Sequence, residues 1–138
     1  MNYFFPRALG IVALLCLMVC GCATTSITIP PDLSPMELIQ RAQEASDRNR
    51  YGVALQYYEA LLERFPNDIY YVCAAEYEIA FIHYKQQKYA QARTEFQALL
   101  ARYEDPAARN LPPQFRLLAV KVLEQIDEKE KSRRLFSR

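Results

Sequence analysis

The sequence predicts an all-α fold of helical hairpin repeats, consisting of two repeats and a C-terminal capping helix. Apolar residues recur at three- and four-residue spacing from about residue 36 to residue 134, which is the period of an amphipathic helix. Gly52 is the only glycine after residue 21, and no alternating strand pattern competes in this range. A block of sequence that begins at Tyr51 also recurs from Tyr89. A repeat of this length predicts stacked supersecondary units.

Residues 1–21 are predicted to be an export signal. One arginine precedes an uncharged run at residues 8–20. As a helix this run would be about 20 Å long, which is too short for a hydrocarbon core of about 30 Å. A positive start, a short apolar run and small residues after it are typical of a cleaved signal.

The end of this signal resembles the lipobox of bacterial lipoproteins. Val19 stands three residues before Cys22, and the small Gly21 directly precedes it. The resemblance implies cleavage after residue 21 and acylation of Cys22, which makes membrane lipid the first expected partner. Because Ala23 rather than Asp follows the cysteine, the resemblance also implies an outer-membrane location facing the periplasm. A soluble-export or uncleaved signal remains the alternative.

Residues 22–35 are predicted to be the lipidated cysteine and a flexible linker. Residues 23–35 are rich in Thr, Ser and Pro and have no period. Extended, they would reach about 40 Å. Ser34, Pro35 and Glu37 then form a helix start signal with a capping box.

The helical domain is predicted to span residues 36–134. The expected helices cover residues 36–49, 51–65, 69–86, 89–103 and a last stretch from about 113 to 134. Residues 135–138 are expected to form a tail.

The repeat aligns small and large residues of two helical hairpins. One constant shift aligns Ala42 with Ala80 and Ala54 with Ala92. Two antiparallel helices approach closely only where side chains are small, so these alanines are expected to face each other within each hairpin. The same shift aligns Tyr51 with Tyr89, Tyr58 with Phe96, Leu61 with Leu99, and Ile39 with Tyr77.

This pattern resembles the tetratricopeptide repeat over about residues 34–105. Pro66 stands where that family has its terminal proline, whereas the family's tryptophan is absent and its period is shorter than the one seen here. The stretch at residues 63–68 also resembles bacterial repeat lipoproteins and coordinators, such as the helical lipoprotein of the barrel-assembly machine and the Tol–Pal coordinator. A second shift of the same length places Leu118 on Ala80, so the last helix is expected to open an unfinished third repeat and cap the stack.

Aromatic residues mark a candidate partner-binding groove. Tyr77, Phe81 and Tyr84 share one helical face. The family resemblance implies that this face lines a concave groove, and tyrosine is common in interfaces. The flanking residues would be Ile39, Gln43 and Phe115. Burial of this face beneath the last helix is an equal alternative.

The residue inventory favours no catalytic, metal or cofactor site. His83 is the only histidine, and Cys73, the only thiol left after processing and lipidation, does not share its face of the helix. The carboxylates of Glu76 and Glu78 are expected to be solvated charges. Lys and Arg total 17 against 16 Asp and Glu, so nucleic acid is not an expected partner.

The favoured function is a membrane-anchored scaffold for protein–protein interaction in cell-envelope assembly or secretion, not an enzyme. The alternatives are a pilotin-like escort of a secretion or pilus subunit, and a small-ligand or lipid-binding envelope protein.

Overall fold

The computed structural model describes residues 26–106 and 110–136, which form five α-helices and no strand. The all-α fold is therefore confirmed for this part of the chain. No helix within it is both long and apolar enough to cross a bilayer. The helices are α1 (Pro35–Asp47), α2 (Tyr51–Arg64), α3 (Ile69–Lys85), α4 (Tyr89–Glu104) and α5 (Pro113–Phe136).

Two of the helices begin with side-chain caps. The Ser34 hydroxyl accepts a hydrogen bond from the Glu37 backbone, while the Glu37 carboxylate accepts one from the Ser34 backbone at 2.9 Å. The predicted capping box is thus present. The Asp68 carboxylate accepts hydrogen bonds from the Tyr70 and Tyr71 backbone N–H groups, which fixes the start of α3.

The two hairpin turns have the same backbone geometry at aligned positions of the repeat. Asn49 and Gln87 both adopt the left-handed region, with φ of 57° and 61°. In each turn the next N–H reaches back five residues, from Arg50 to the Ala45 carbonyl and from Lys88 to that of His83. This six-to-one bond is the helix-ending pattern of a Schellman motif. The repeat in the sequence is therefore also a repeat of turn geometry.

The four aligned alanines lie where the helices of each hairpin meet. Ala42 and Ala54 belong to one buried cluster, and Ala80 and Ala92 to another, and each is fully buried. The first cluster joins α1 and α2 to one side of α3, and the second joins α3, α4 and α5. α3 therefore contributes to both clusters and holds the two hairpins together.

The last helix packs one residue out of the expected register. The repeat aligns Leu118 with Ala80, but Leu118 is 39% exposed, whereas Ala119 is fully buried. A leucine at the point of closest approach would hold the helices apart, so the neighbouring alanine takes that place. The helix also continues to Phe136, which includes two residues predicted to be tail.

The segment predicted to be a flexible linker is held against α2. The Ile27 N–H donates to the Gln56 side-chain oxygen at 2.9 Å, and the Arg64 guanidinium donates to the Pro30 carbonyl at 2.8 Å. Leu33 is buried in the first cluster, with Ile29 packed beside it. Apolar contact and paired backbone groups thus fix a stretch that has no periodicity of its own.

Candidate functional site

The aromatic residues of α3 form a continuous row. The ring centroids of Tyr77 and Phe81 lie 5.8 Å apart and those of Phe81 and Tyr84 lie 5.7 Å apart, both stacked. The Tyr89 ring extends the row at 5.8 Å from Tyr84. The helical spacing of these residues therefore brings them together as expected.

α5 covers the first half of this row. The Tyr77 and Phe115 rings lie 6.0 Å apart, and both side chains are buried. Burial raises the pKa of Tyr77 to about 12, because the phenolate would lose its hydration. Tyr77 and Phe115 are thus core residues rather than open groove residues. For these two residues the structure agrees with the alternative that the last helix buries the aromatic face.

The second half of the row stays partly open. Phe81 and Tyr84 are half-buried, and the Tyr84 hydroxyl donates to Gln125 of α5 at 3.0 Å. Within the described ranges, α1 and α5 each pack against α3 but not against each other. The face of α3 between them carries the half-buried Phe81, and we refer to this face as the groove.

Lys85 borders this groove, and the sequence pattern does not single it out. Its ammonium group lies 5.7 Å from the Phe81 ring centroid and 5.6 Å from that of Tyr51. It also donates to the Ser46 hydroxyl of α1 at 3.2 Å. The spacing Phe81 to Lys85, one helical turn, is the signal that could have revealed this cation–π contact.

The two predicted flanking residues of α1 are not part of the aromatic row. Ile39 is partly buried and packs into the first cluster. Gln43 is exposed on the surface of α1. Of these two, Gln43 has the more exposed side chain.

A half-buried carboxyl group lies on the same helix. Desolvation raises the pKa of Glu78, and the charge of Lys85 partly offsets this effect. The partial burial of Glu78 corrects the expectation of a solvated charge at this position. Glu76 by contrast accepts two hydrogen bonds from the Arg102 guanidinium, one of them at 2.7 Å, and ties α3 to α4.

His83 of α3 contacts two polar side chains of α4. Its Nδ1 lies 2.7 Å from a Glu95 carboxylate oxygen, and its Nε2 lies 3.3 Å from the Gln91 amide nitrogen. The imidazole is buried, and both of its nitrogens are engaged by protein groups. This arrangement fixes the ring in place and gives it a packing role.

Cys73 is a buried thiol in the second cluster. Burial raises its pKa, so the thiol form is favoured. Among the described residues, no group of three His, Cys, Asp or Glu side chains is placed to hold a metal ion. Cys22, the predicted lipidation site, lies outside the described residues.

The chain is similar to an uncharacterised protein of Treponema pallidum (strain Nichols). The two are 31% identical over 121 residues, which cover 88% of this chain and 48% of the relative. The chain thus spans about half the length of that relative. No protein-family model matches the chain, and no solved structure matches it.

Proposed function

We propose that this chain is a lipid-anchored, tetratricopeptide-like scaffold that binds a segment of another envelope protein. The observation that carries the proposal is the groove over α3, with half-buried Phe81 and Tyr84 on its floor. Rigid aromatic rings with partial exposure supply contact area at low entropic cost. Acylation of Cys22, implied by the lipobox resemblance, would hold this groove at the outer membrane.

The tetratricopeptide-like assignment is supported by the paired alanines and the repeated turns. Ala42 and Ala54 share one buried cluster, and the aligned Ala80 and Ala92 share the other. Burial of these four small residues fits the close approach of two helices that the sequence repeat predicts. Stacked hairpins of this kind place alternate helices on one side, here α1, α3 and α5.

The chemistry of the groove suggests what the bound segment carries. An apolar or aromatic side chain would pack on Phe81, and a carboxylate would find Lys85 at the rim. Gln43, which is predicted to flank the groove and is exposed on α1, carries an amide that can bond a peptide backbone. The expected ligand is therefore a segment in which an apolar anchor and an acidic group lie close together.

Photocrosslinking in the native envelope tests this proposal. A benzoyl-phenylalanine at position 81 keeps an aromatic ring in the groove, while the same group at Gln97, exposed on α4, serves as the control. We expect a discrete crosslinked product at position 81 and none at position 97. Equal products at both positions, or none at position 81 despite normal helicity, would show that the groove is not the binding site.

The Cys22→Ser version of the same protein separates a scaffold from an escort. If the chain is a scaffold at the membrane, loss of the anchor should reduce the crosslinked product because the two proteins no longer meet. An undiminished product together with a mislocalised partner would instead favour the pilotin-like role.

A further inference from the structure

Three parts of the chain meet at one end of the helical stack. The α1–α2 turn and the α3–α4 turn are joined by Lys85, which contacts both Ser46 and the Tyr51 ring. The last turns of α5 reach the same end, where Arg133 donates to Gln87 at 3.1 Å and lies over the Tyr89 ring. We refer to this end as the turn end.

The turn end carries more exposed basic than acidic side chains. Glu130, an acidic residue there, is already paired with Arg93 at 3.0 Å, which leaves Glu44, Asp47 and Glu128 as exposed carboxylates. Within the described residues, none of the basic side chains that follow is in an ion pair. They are Arg48, Arg50, Lys88, Lys129 and Lys131, all exposed.

The opposite end of the stack has the reverse character. Its exposed carboxylates include Glu37, Glu63, Asp68, Glu104 and Asp105. Three arginines of this end that the structure describes are engaged within the chain, Arg64 by the Pro30 carbonyl, Arg102 by Glu76 and Arg116 by Glu104. The balanced composition therefore conceals a molecule with one basic end and one acidic end.

The docked N-terminal segment runs toward the basic end. Pro30 lies beside Arg64 in the last turn of α2, whereas Ile27 lies beside Gln56, nearer the start of that helix. Followed backwards, the chain thus leaves α2 in the direction of the turn end. The stretch from Cys22 to Ile27 spans at most about 18 Å, so an anchor at Cys22 would keep this end close to the bilayer.

The turn end also presents exposed apolar side chains. Leu135 and Phe136, in the final turn of α5, are 67% and 93% exposed. Apolar residues beside Lys131 and Arg134 are typical of segments that lie in the interface of an anionic membrane.

From this arrangement we infer that the turn end is a membrane-contact surface that binds anionic lipid headgroups. This electrostatic attachment would act in addition to anchoring by the acyl chains. It would orient the helical stack with its acidic end away from the bilayer. The direction of the tether rests on the proposed anchor, whereas the charged end and the exposed helix terminus are independent of it.

Vesicle cosedimentation of the unlipidated chain tests this surface without the anchor. Residues 22–138 with Cys22→Ser keep every contact described above and cannot be acylated. We expect this form to bind vesicles of phosphatidylglycerol with phosphatidylcholine, but not vesicles of phosphatidylcholine alone. Raising the salt to about 0.5 M should release it, because screening shortens the range of the attraction.

Paired charge reversals locate the binding surface. Each basic side chain near an anionic surface contributes about fivefold to the partition coefficient. Lys88→Glu with Lys131→Glu should therefore reduce binding by more than about tenfold. Arg41→Glu with Lys121→Glu changes the net charge equally on side chains that are exposed away from the turn end, and should have a much smaller effect.

Three results would overturn the inference. They are an equal loss of vesicle binding in the two pairs of substitutions, equal binding to neutral and anionic vesicles, and failure to bind anionic vesicles by a chain that is still retained on heparin, a soluble polyanion. None of them bears on whether the groove captures a protein. Likewise, absence of a crosslink at Phe81 would leave the vesicle result standing, so the two proposals fail separately.

Discussion

The two hairpins share one plan but are covered in different ways. In the first, α1 and α2 are closed on their outer side by an extended segment, with Leu33 buried in the cluster. In the second, α3 and α4 are closed by a whole helix, with Phe115, Ala119 and Ile126 of α5 in the cluster. The same repeat can therefore be completed either by a few residues of extended chain or by another helix of the stack.

The difference matters for where a partner can bind. The helical cover brings Phe115 onto Tyr77 and closes half of the aromatic row. The extended cover bonds to Gln56 and Arg64 of α2 instead and packs in the first cluster, which includes no residue of the aromatic row. The open half of the row thus exists because only one hairpin is covered on that side.

Truncation of one buried side chain in each cover should have the largest effect on stability. Phe115→Ala is expected to lower the free energy of unfolding by about 3 kcal/mol and Leu33→Ala by about 2 kcal/mol, because both side chains are buried. Since α3 contributes to both clusters, urea unfolding followed by circular dichroism should stay a single transition in both variants. Unchanged stability in Leu33→Ala would show that the extended segment does not cover the first hairpin in solution.

An intermediate effect on stability is expected from Tyr58→Phe, because Tyr58 and its aligned residue Phe96 differ by one hydroxyl group. Tyr58 and Phe96 are both buried, and the Tyr58 hydroxyl has no hydrogen-bond partner in the described part of the chain. Burial raises the pKa of this phenol, and the nearby Glu78 and Asp47 carboxylates add to the effect. Tyr58→Phe should stabilise the protein by about 1 kcal/mol, because it removes an unsatisfied polar group.

The matched control for this substitution is Tyr103→Phe. The Tyr103 hydroxyl donates to the Pro112 carbonyl at 2.7 Å, so its removal should destabilise the protein. Thermal unfolding of the two variants side by side should therefore show shifts in opposite directions. A lower midpoint for Tyr58→Phe would mean that its hydroxyl is hydrogen-bonded in solution.

The smallest effect on stability is expected from Glu78→Gln. The aligned residue in the first hairpin, Gln40, is itself a glutamine. Burial raises the pKa of Glu78 in the folded protein, so the folded state holds this proton more tightly than the unfolded state does. Stability from this group is present below the unfolded pKa and is lost as the pH rises through the folded pKa. Glu78→Gln should therefore stabilise the protein at pH 7 but not at pH 4.

Denaturant unfolding at the two pH values measures this difference. Glu59→Gln, at an exposed position of α2, provides the comparison for loss of one negative charge. Equal effects of the two substitutions at pH 7 would attribute the change to net charge rather than to burial.

Local signals in the sequence predicted most of the helical framework. The capping box at Ser34 and the breaker at Pro66 act over one turn, so the helix limits came within two residues of the observed ones. The buried alanines followed from the repeat, because a small residue is needed wherever two helices approach closely. These features depend on neighbours in sequence, which is why they could be predicted.

Long-range packing was beyond those signals. The bonds of Ile27 to Gln56 and of Pro30 to Arg64 join residues 29 and 34 positions apart, and no periodicity marks them. The choice of Ala119 over Leu118 depends on how α5 packs on α3, after a connection that is longer than the one between α2 and α3. For the same reason the sequence could place Tyr77 on the aromatic face but not decide whether α5 would bury it.

The docked N-terminal segment also has a mechanical consequence. A pull on the chain before Ile27 would load the bond to Gln56 and then the bonds from Arg64 in sequence, along the axis of α2. The force would reach the first turn of α1 only after these contacts had yielded. Tension applied to the chain before Ile27 would thus be borne first by the docked segment, and only afterwards by the Ser34 cap and the first hairpin.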